Sequence, residues 1–315
     1  GLKNNPPLSM NNPFKGTSHL LIGFIKNSDI YVMNEDGTDI QNISLNHNVS
    51  VDRLDWSNDG IWIIGGVNGS KGILKQNYNG TSWNILNMVN IPVQYPKFSH
   101  DDSKIYFMGN KKIGFVNSDG TNFTENLFDT DNDVHSYDIS PNDSKLVWRE
   151  GDHGIFVGDI GSGTYEKVLD SGYEPLWISN ENFIYKNHKD GTNLVDVYKY
   201  NGVGDTTKLT NIQTSFGIYD LDISNDRKKI LFSTGDYKMY TLKIDGTELK
   251  EVHKSDSYVY QEWNLDGTKI FYYNTGNGYL YSMDSDGSNI VQLTKMNGSY
   301  TYLPIFQKNY PKPVD

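Results

Sequence analysis

The stretch LYSMDSDGSNIVQLT, at residues 281–295, decides the fold because the chain repeats its pattern. The pattern is a short apolar run that ends in Asp-Gly-Thr or Asp-Gly-Ser, followed by a second short run. The other clear copies are IYVMNEDGTDIQNIS (30–44), IGFVNSDGTNFTENL (113–127) and MYTLKIDGTELKEVH (239–253). Self-similarity at a fixed period is the sequence signature of a repeat architecture. The repeat therefore predicts the architecture of most of the chain.

A second motif precedes each phrase and sets the period. It is an aromatic or β-branched residue, usually followed by serine and an Asn- or Asp-rich turn, as in LDWSNDGIWII (54–64) and QEWNLDGTKIFYY (261–273). Its markers are spaced 38 to 46 residues apart: Trp56, Phe98, Ile139, Trp177, Ile223, Trp263 and Phe306. This spacing is close to the period of roughly 40–45 residues that is typical of a four-stranded propeller blade.

Each unit contains four short runs rich in Ile, Tyr, Phe and Val, bounded by Gly, Asp and Asn, which predicts four β-strands. The Asp-Gly pairs predict tight hairpins, in which glycine adopts a positive φ without steric cost. We expect an all-β, seven-bladed β-propeller of four-stranded antiparallel blades. Six blades are the alternative, because residues 173–210 form the least regular unit. Buried blade cores are predicted for Trp56, Trp148, Trp177 and Trp263.

The two ends of the repeat region complement each other. The first phrase (19–44) lacks the strand that should precede it, and the last marker segment, Tyr302–Gln307, lacks the strands that should follow. We expect one blade built from both segments, which closes the ring and removes two open sheet edges. The predicted organisation is a flexible tether at 1–18, a single propeller domain at 19–307 and a tail at 308–315.

The repeat resembles the PD40, or TolB-like, β-propeller repeat, which is related to WD40-like repeats and to the N-terminal propeller of dipeptidyl peptidase IV. The resemblance covers roughly residues 19–307 and implies a propeller that serves as an interaction platform in the cell envelope or outside the cell. TolB has six blades, so seven would be a departure. The best copy matches at Trp263, Asp266, Gly267, Ile270, Phe271, Leu280, Tyr281, Met283, Asp286, Gly287, Ser288, Leu293 and Thr294.

Composition limits the partners. The 315 residues carry a formal net charge of −11, with a pI near 5.1, which makes nucleic acid and anionic membranes poor partners. The absence of cysteine excludes disulfides, thiolate catalysis and cysteine-based zinc sites. No apolar run reaches the roughly 18 residues of a membrane span, so we expect no transmembrane segment. The polar N-terminal segment is typical of the region after a removed signal, so we expect an extracytoplasmic protein, acting as a monomer.

The sequence does not indicate a catalytic centre. It contains neither G-x-S-x-G nor H-E-x-x-H. The seven histidines are scattered, which argues against a resemblance to oligogalacturonate lyases, propeller enzymes that hold a metal with clustered histidines. We expect no cofactor. Calcium is the alternative at Asp129, Asp131 and Asp133, where carboxylates alternate between two predicted blades, although the glycine and glutamate of an EF-hand loop are missing.

Tyrosines predict a binding site. They occur shortly before many marker residues, and similar propellers place this strand innermost, so they would surround one mouth of the central channel. Tyrosine offers a flat apolar face and a hydroxyl, which suit sugar rings or an extended peptide. The alternative is that tyrosine is simply a favoured strand residue. The tyrosines are Tyr95, Tyr137, Tyr173, Tyr219, Tyr260 and Tyr302.

Polar loop residues extend this predicted site. Arg149 and His153 lie near the loop between the second and third strands of blade 4, and His188 has the corresponding place in blade 5. With Glu174 they would form a charged wall, unless they are simply solvated. We therefore expect a non-catalytic propeller that binds a glycan, a peptide or a protein partner at its mouth. The alternatives are a polysaccharide lyase or glycosidase that uses carboxylates with His153 or His188, and a structural spacer with a plugged mouth.

Overall fold

A computed structural model describes residues 20–44, 50–67, 72–87, 92–188, 195–202, 204–212, 217–294 and 305–306. These residues form 28 β-strands in seven four-stranded antiparallel sheets, so the predicted seven-bladed propeller is confirmed and the six-bladed alternative is wrong. The predicted tether and tail lie outside the described residues. Within the described ranges, no helix has the length and apolarity that crossing a bilayer requires.

The blades follow one another along the chain, and the strands of each blade run consecutively from the innermost to the outermost. Blade 1 is the exception, because β28 supplies its innermost strand. The strands of blades 1 to 3 are β1 Leu21–Lys26, β2 Asp29–Asn34 and β3 Gln41–Asn42; β4 Val51–Trp56, β5 Trp62–Val67, β6 Gly72–Asn77 and β7 Trp83–Asn87; and β8 Gln94–Phe98, β9 Lys104–Gly109, β10 Lys112–Asn117 and β11 Thr124–Asp129.

Blades 4 to 7 repeat this order, and blade 5, the least regular unit in sequence, has the same four strands as the others. The strands are β12 Val134–Ile139, β13 Lys145–Glu150, β14 Ile155–Asp159 and β15 Tyr165–Leu169; β16 Tyr173–Trp177, β17 Phe183–His188, β18 Val195–Tyr200 and β19 Thr206–Lys208; β20 Ile218–Ile223, β21 Lys229–Thr234, β22 Lys238–Lys243 and β23 Lys250–Lys254; β24 Val259–Trp263, β25 Lys269–Asn274, β26 Tyr279–Asp284 and β27 Val291–Gln292; and finally β28 Ile305–Phe306.

The ring closes in blade 1, as the two ends of the repeat region predict. Strand β28 pairs antiparallel with β1, with Phe306 opposite Ile22 and Ile305 opposite Gly23. The Phe306 ring also packs on Phe271 of blade 7, with centroids 4.5 Å apart. On the other side, Nε1 of Trp56 in blade 2 donates to the Ile305 carbonyl over 3.3 Å. The closing strand therefore pairs with β1, packs on blade 7 and accepts a hydrogen bond from blade 2.

The repeated Asp-Gly-Thr phrase forms the hairpin between the third and fourth strand positions. In blade 1, Oδ1 of Asp36 accepts hydrogen bonds from the Thr38 amide at 2.9 Å and the Thr38 hydroxyl at 2.6 Å. Asp286 and Ser288 make the same pair of bonds in blade 7. The glycine between them has a positive φ, 92° at Gly287. The phrase repeats because this turn needs all three residue types.

The apolar core lies between neighbouring blades rather than at a single centre. The seven apolar clusters each combine buried residues of adjacent sheets; one joins Ile184 and Val197 of blade 5 to Ile230 and Phe232 of blade 6. The four tryptophans predicted to be core are buried: Trp56, Trp148, Trp177 and Trp263. Burying a large aromatic side chain contributes about 2–3 kcal/mol, so this seam of tryptophans and phenylalanines stabilises the ring without disulfides.

The strand directions give the ring two faces. We call the lower face the one that carries the turns from first to second and from third to fourth strands, where the repeated sequence motifs lie. The upper face carries the loops between second and third strands and the connections between blades. The first strands of the blades begin at the upper face and end at the lower face.

Candidate functional site

The seven first strands enclose one central channel. Residues of β4, β8, β12, β16, β20, β24 and β28 all line it, and its volume is about 790 Å³. A cavity of this size falls in the range of small-molecule and peptide-side-chain sites, roughly 300–1,000 Å³. The residues at the start of these strands form its upper rim, and those in the turns after them form its lower end.

The strand ladders break at the upper rim. In five of the seven blades the pairing of the first strand with the second shifts register after the first or second residue of the first strand. Three rim residues there have left-handed backbone conformations: Arg53 with φ of 48°, Tyr95 with 51° and Glu174 with 48°. A bulge of this kind re-aims a side chain, and strained non-glycine residues cluster at functional sites. The rim is therefore the part of the channel where side-chain direction departs from regular pairing.

Carboxylates satisfy the open backbone edge that faces the channel. The Phe98 amide donates to Oδ2 of Asp55 at 2.8 Å. In the same way the Trp177 amide donates to Asp138, and the Trp263 amide to Asp222, each at 2.9 Å. Each bond joins an even-numbered blade to the next, and each satisfies an amide that has no strand partner on that side. These aspartates hold the inner ring together.

Two of the channel carboxylates carry strongly shifted pKa values. Burial, with the nearby Glu174 carboxylate, raises the pKa of Asp220 to about 6, although Lys186 and hydrogen bonds from the backbone act in the opposite direction. Burial also raises the pKa of Asp222 well above its usual range, and Asp220 adds to that effect. The charged forms of both groups are therefore unfavourable at these buried positions.

A tyrosine cluster occupies the upper rim at blades 6 and 7. It consists of Tyr219, Tyr237, Tyr258 and Tyr260. The rings of Tyr219 and Tyr258 lie 4.7 Å apart, and those of Tyr237 and Tyr258 lie 4.9 Å apart at nearly a right angle. The hydroxyls of Tyr219 and Tyr260 are hydrogen-bonded at 2.7 Å. Tyr219 and Tyr258 remain 38% and 36% exposed, so the cluster presents aromatic faces to solvent.

Two further blade junctions on the upper face pair an arginine with a tyrosine. Arg53 stacks on Tyr95, 4.5 Å from its ring centroid, and donates to its hydroxyl at 2.9 Å. Arg149 lies 4.2 Å from the ring centroid of Tyr173, whose hydroxyl is 3.2 Å from Nε2 of His188. The aromatic groups thus recur at the junctions of blades 2 and 3, 4 and 5, and 6 and 7.

Arg227 crosses the lower end of the channel. This residue of blade 6 donates to the Trp177 carbonyl in blade 5 and lies 3.2 Å from Nε2 of His100 in blade 3. Nδ1 of His100 is 2.9 Å from Asp143 of blade 4. Because the guanidinium can only donate, Nε2 must accept, so the proton of a neutral His100 is on Nδ1. The lower end is therefore spanned by the protein's own side chains.

Most of the predicted site residues lie either at the rim of the channel or beside it, in two groups. Tyr95, Glu174, Tyr219 and Tyr260 line the channel at the rim. Tyr137 also borders the channel but is only 3% exposed. Its hydroxyl lies 2.6 Å from the Tyr95 carbonyl and 3.0 Å from the Tyr106 carbonyl, which share its one proton in a structural role.

The second group lies beside the rim. Arg149 and His188 each contact Tyr173 there, while His153 is exposed in the neighbouring loop. Tyr302, the remaining predicted tyrosine, lies outside the described residues. Glu174 does not form a wall with the arginine; it pairs with Lys186 at 2.7 Å.

The aspartates of the calcium alternative lie at the blade 3–4 connection. The side chains of Asp129, Asp131 and Asp133 are exposed. Their backbone carbonyls accept hydrogen bonds from Tyr165, Lys111 and Gly151. Among the residues that the structure describes, no three His, Cys, Asp or Glu side chains are grouped so as to hold a metal ion.

Sequence reasoning missed Tyr237, Tyr258 and Arg227. The signal for Arg227 was available: aligning the turns places it where other blades have Gly60, Asp102, Asp143 or Gly267. A long cation at a left-handed position, with φ of 57°, was therefore detectable as an exception. Tyr237 and Tyr258 lie in loops without a repeated pattern, so only the folded structure brings them to Tyr219.

Comparison with known proteins supports the fold and little beyond it. No family profile matches the chain, so membership of the PD40 family stays a prediction. No curated protein matches it in sequence either.

Solved structures of similar shape are propellers of several kinds. An oligogalacturonate lyase in complex with manganese has a TM-score of 0.67 at 12% identity, over 87% of this chain and 84% of that one. TolB from Acinetobacter baumannii has a TM-score of 0.55 at 16% identity, over 91% and 82%. A chain of a nidogen/laminin complex has a TM-score of 0.56 at 10% identity, over 91% and 98%. At these identities the similarity establishes the propeller fold alone.

Proposed function

We propose that this protein is a non-catalytic binding module that recognises a glycan, a peptide or a protein partner at the upper mouth of its channel. The observation that carries the proposal is the tyrosine cluster, in which two partly exposed rings stand at the entrance of a channel of about 790 Å³. Clusters of partly exposed tyrosines are typical of binding surfaces, because tyrosine rings give a ligand a large contact area at little cost in conformational entropy. The strained backbone of the rim supports the same location.

The arrangement of the channel favours binding over lyase or glycosidase chemistry. Asp55, Asp138 and Asp222 each accept a backbone amide of the next blade, so structural hydrogen bonds already engage these carboxylates. A lyase that acts on oligogalacturonate must bind a polyanion, whereas six carboxylates and three cationic side chains line this channel. The described residues also do not provide the donor set that the manganese of the similar lyase would need. A spacer role is disfavoured because the upper mouth is open to solvent at its tyrosines.

We further propose that the protein acts outside the cytoplasm as a monomer. The similar structures include TolB and a chain from a nidogen/laminin complex, and the latter is an assembly of proteins. The absence of cysteine from the whole sequence is compatible with that setting, because no thiol is exposed to oxidation. A formal charge of −11 keeps copies of the chain apart at low ionic strength.

The proposal is tested by thermal unfolding of the purified protein against a panel of oligosaccharides, peptides and calcium. A ligand at 100 times its Kd adds about 2.7 kcal/mol, which raises the midpoint by several degrees. We expect a shift with one ligand class that disappears in Tyr219→Ala. Tyr165→Ala is the matched control, because Tyr165 is equally exposed, at 38%, but lies on the outermost strand of blade 4.

A Tyr219→Ala protein that keeps the full shift would contradict a site at the rim. A panel in which no ligand moves the midpoint would argue against a small-ligand site of any kind at this mouth.

A further inference from the structure

We propose that the rim takes a cationic guest, the lysine or arginine side chain of a peptide segment, between the tyrosine cluster and the carboxylates of β20. This inference rests on the proposed binding function and specifies its ligand. Aromatic faces and a nearby carboxylate are the combination that recognises an ammonium or guanidinium group.

The carboxylate lies near the tyrosines, close enough that, besides burial, its charge helps to raise the pKa of Tyr260. Asp220 follows Tyr219 in the chain, and its Oδ2 accepts the amide of Gln261, the residue after Tyr260, at 3.1 Å. The hydroxyls of Tyr219 and Tyr260 are bonded to each other above it. A cation that stacks on either ring therefore has a carboxylate on its inner side.

The cations that the channel already contains are engaged elsewhere. Arg53 bonds to the Tyr95 hydroxyl, and Lys97 contacts the Tyr137 carbonyl and Asp138. Arg227 is bonded at the lower end. Lys186, which is outside the channel lining, is bonded to Glu174. Among the described residues, no ion pair is formed with Asp220 or Asp222, although Lys186 and Lys97 lower their pKa values to a smaller extent than burial raises them.

The net negative charge of the channel lining also favours a cationic guest. Six carboxylates face three cationic side chains, so a guest with positive charge is attracted and an anionic one is repelled. Burial raises the pKa of Asp220 to about 6. A bound cation would favour the charged carboxylate, and its binding would release protons below neutral pH.

The depth of the carboxylates favours a peptide side chain over an amino sugar. Asp222 lies two residues below Asp220 on β20, which is about 6–7 Å along the strand. A lysine or arginine stem can place its charge at this depth while its backbone stays at the rim. The ammonium of an amino sugar is attached directly to a bulky ring, so it stops at the tyrosines.

The test is titration calorimetry of the full chain with trilysine at low ionic strength and at about 0.15 M salt. Acetylated trilysine, the glucosamine trimer and the N-acetylglucosamine trimer are the comparison ligands. We expect trilysine to bind, more weakly at the higher salt and at pH 5 than at pH 8, and acetylated trilysine to lose about tenfold or more in affinity.

Variants assign the binding to this place. Asp220→Asn retains an oxygen for the Gln261 amide, so the fold is kept, and we expect it to weaken trilysine binding about tenfold or more. Tyr258→Ala should weaken it by a similar factor. Asp170→Asn is the control, because Asp170 is 93% exposed and pairs only with the surface Lys167. Circular dichroism on each variant checks folding before titration.

Four results would overturn the inference. Equal trilysine affinity in Asp220→Asn and the parent protein would remove the carboxylate from the site. Binding of the glucosamine trimer without trilysine would assign the cation site to an amino sugar. Binding of the N-acetylglucosamine trimer alone, dependent on Tyr258, would overturn the cationic guest but leave the proposed binding function standing, whereas no binding by any probe would count against both.

Discussion

The two faces of the ring are made by the same seven blades and differ in almost every respect. On the lower face the turns repeat: Asp36 and Asp286 bond to the second residue after them, and Asp102 of blade 3 accepts the amides of Asn58 and Asp59 in blade 2. On the upper face the first strands bulge, and aromatic and charged side chains replace the repeated turns. The repeated face holds the blades together, and the irregular face is free to carry a site.

The carboxylates of the two faces have opposite electrostatics. Hydrogen bonds from Thr247 lower the pKa of Asp245, and those from Ser288 lower that of Asp286, both on the lower face. Burial in the channel raises the pKa of Asp220, near the upper rim. Turn aspartates are therefore stabilised in the charged form that the turn uses, while the channel aspartates are destabilised in it. The comparison indicates which carboxylates are structural and which could gain from a ligand.

The largest effect is expected on the lower face, from Gly287→Ala. A Cβ at Gly287 would lie 1.8 Å from the Val252 carbonyl of the preceding blade, at a φ of 92°. We expect a loss of about 3 kcal/mol or more in the free energy of unfolding, measured by denaturant titration. Gly202→Ala is the matched control, because its φ is 82° but its Cβ would meet nothing within 4 Å. Its cost should be only the conformational one, about 1 kcal/mol. Equal losses in the two variants would contradict a close approach between the blades.

A smaller effect is expected from Arg227→Ala, which removes the side chain that crosses the lower end. Its hydrogen bonds to the Trp177 carbonyl and to His100 are charge-assisted, so we expect a loss of about 2 kcal/mol in unfolding free energy. Binding of a cation at the upper rim should not weaken, because the variant removes a positive charge from the channel lining. Lys228→Ala, at the exposed neighbouring position, is the control and should cost little. A change in ligand affinity without a change in stability would mean that the two ends of the channel are not independent.

Carboxylates of the two faces should contribute to the unfolding free energy with opposite dependences on pH. The pKa of Asp220 is raised on folding, so its favourable contribution is present at low pH and is lost as pH rises from about 4 through about 6. Asp220→Asn should therefore remove part of this loss, on the order of 1 kcal/mol between pH 4 and pH 7.

Asp226 of the lower face gives the opposite sign. Its hydrogen bond from Ser224 lowers its pKa, so its contribution is present above an ordinary aspartate pKa of about 4 and is lost as pH falls through the lowered value. Denaturation curves of Asp220→Asn and Asp226→Asn from acid to neutral pH measure how each carboxylate changes the dependence of the unfolding free energy on pH. If both carboxylates changed the unfolding free energy in the same direction as pH rises, the proposed electrostatic difference between the faces would be wrong.

The smallest effect is expected from His153→Ala. His153 is exposed in the loop between β13 and β14, outside the channel lining. Its removal should change the free energy of unfolding by less than about 0.5 kcal/mol and leave rim binding unaltered. His188→Ala provides the contrast, because His188 contacts the Tyr173 ring. A clear loss of binding in His153→Ala would extend the site beyond the rim described above.

The sequence contained most of the fold and less of the site, for a physical reason. Blade turns such as that of Asp286 and Ser288 are local, so their residues must recur in sequence wherever the turn recurs. Period, blade number, hairpins and ring closure followed from that recurrence. The rim depends on contacts between loops of different blades, such as Tyr237 with Tyr258, and such contacts leave no periodic mark.

Individual rim residues show the same limit. Tyr137 lies two residues before its marker Ile139, whereas Tyr219 lies four residues before Ile223 and is partly exposed, while Tyr137 is buried in the core. The register shifts at the same place in both blades, between Val134 and Ser136 and between Ile218 and Asp220, so Tyr219 lies within the bulge and Tyr137 follows it. A shift of one residue reverses the face to which a side chain points, and the spacing to a marker does not encode it.

The way in which each hairpin glycine meets its neighbour has a consequence for synthesis. Gly80 of blade 2 approaches Ile43 of blade 1, Gly120 of blade 3 approaches Leu86 of blade 2, and Gly287 approaches Val252 of blade 6. Each of these blades thus docks on the blade that was synthesised just before it, so the nascent chain can add blades in order. Gly37 of blade 1 is different, because it meets Leu293 of blade 7. We expect an open, progressively lengthening arc on the ribosome, with a single late closing step that includes the arrival of β28 beside β1.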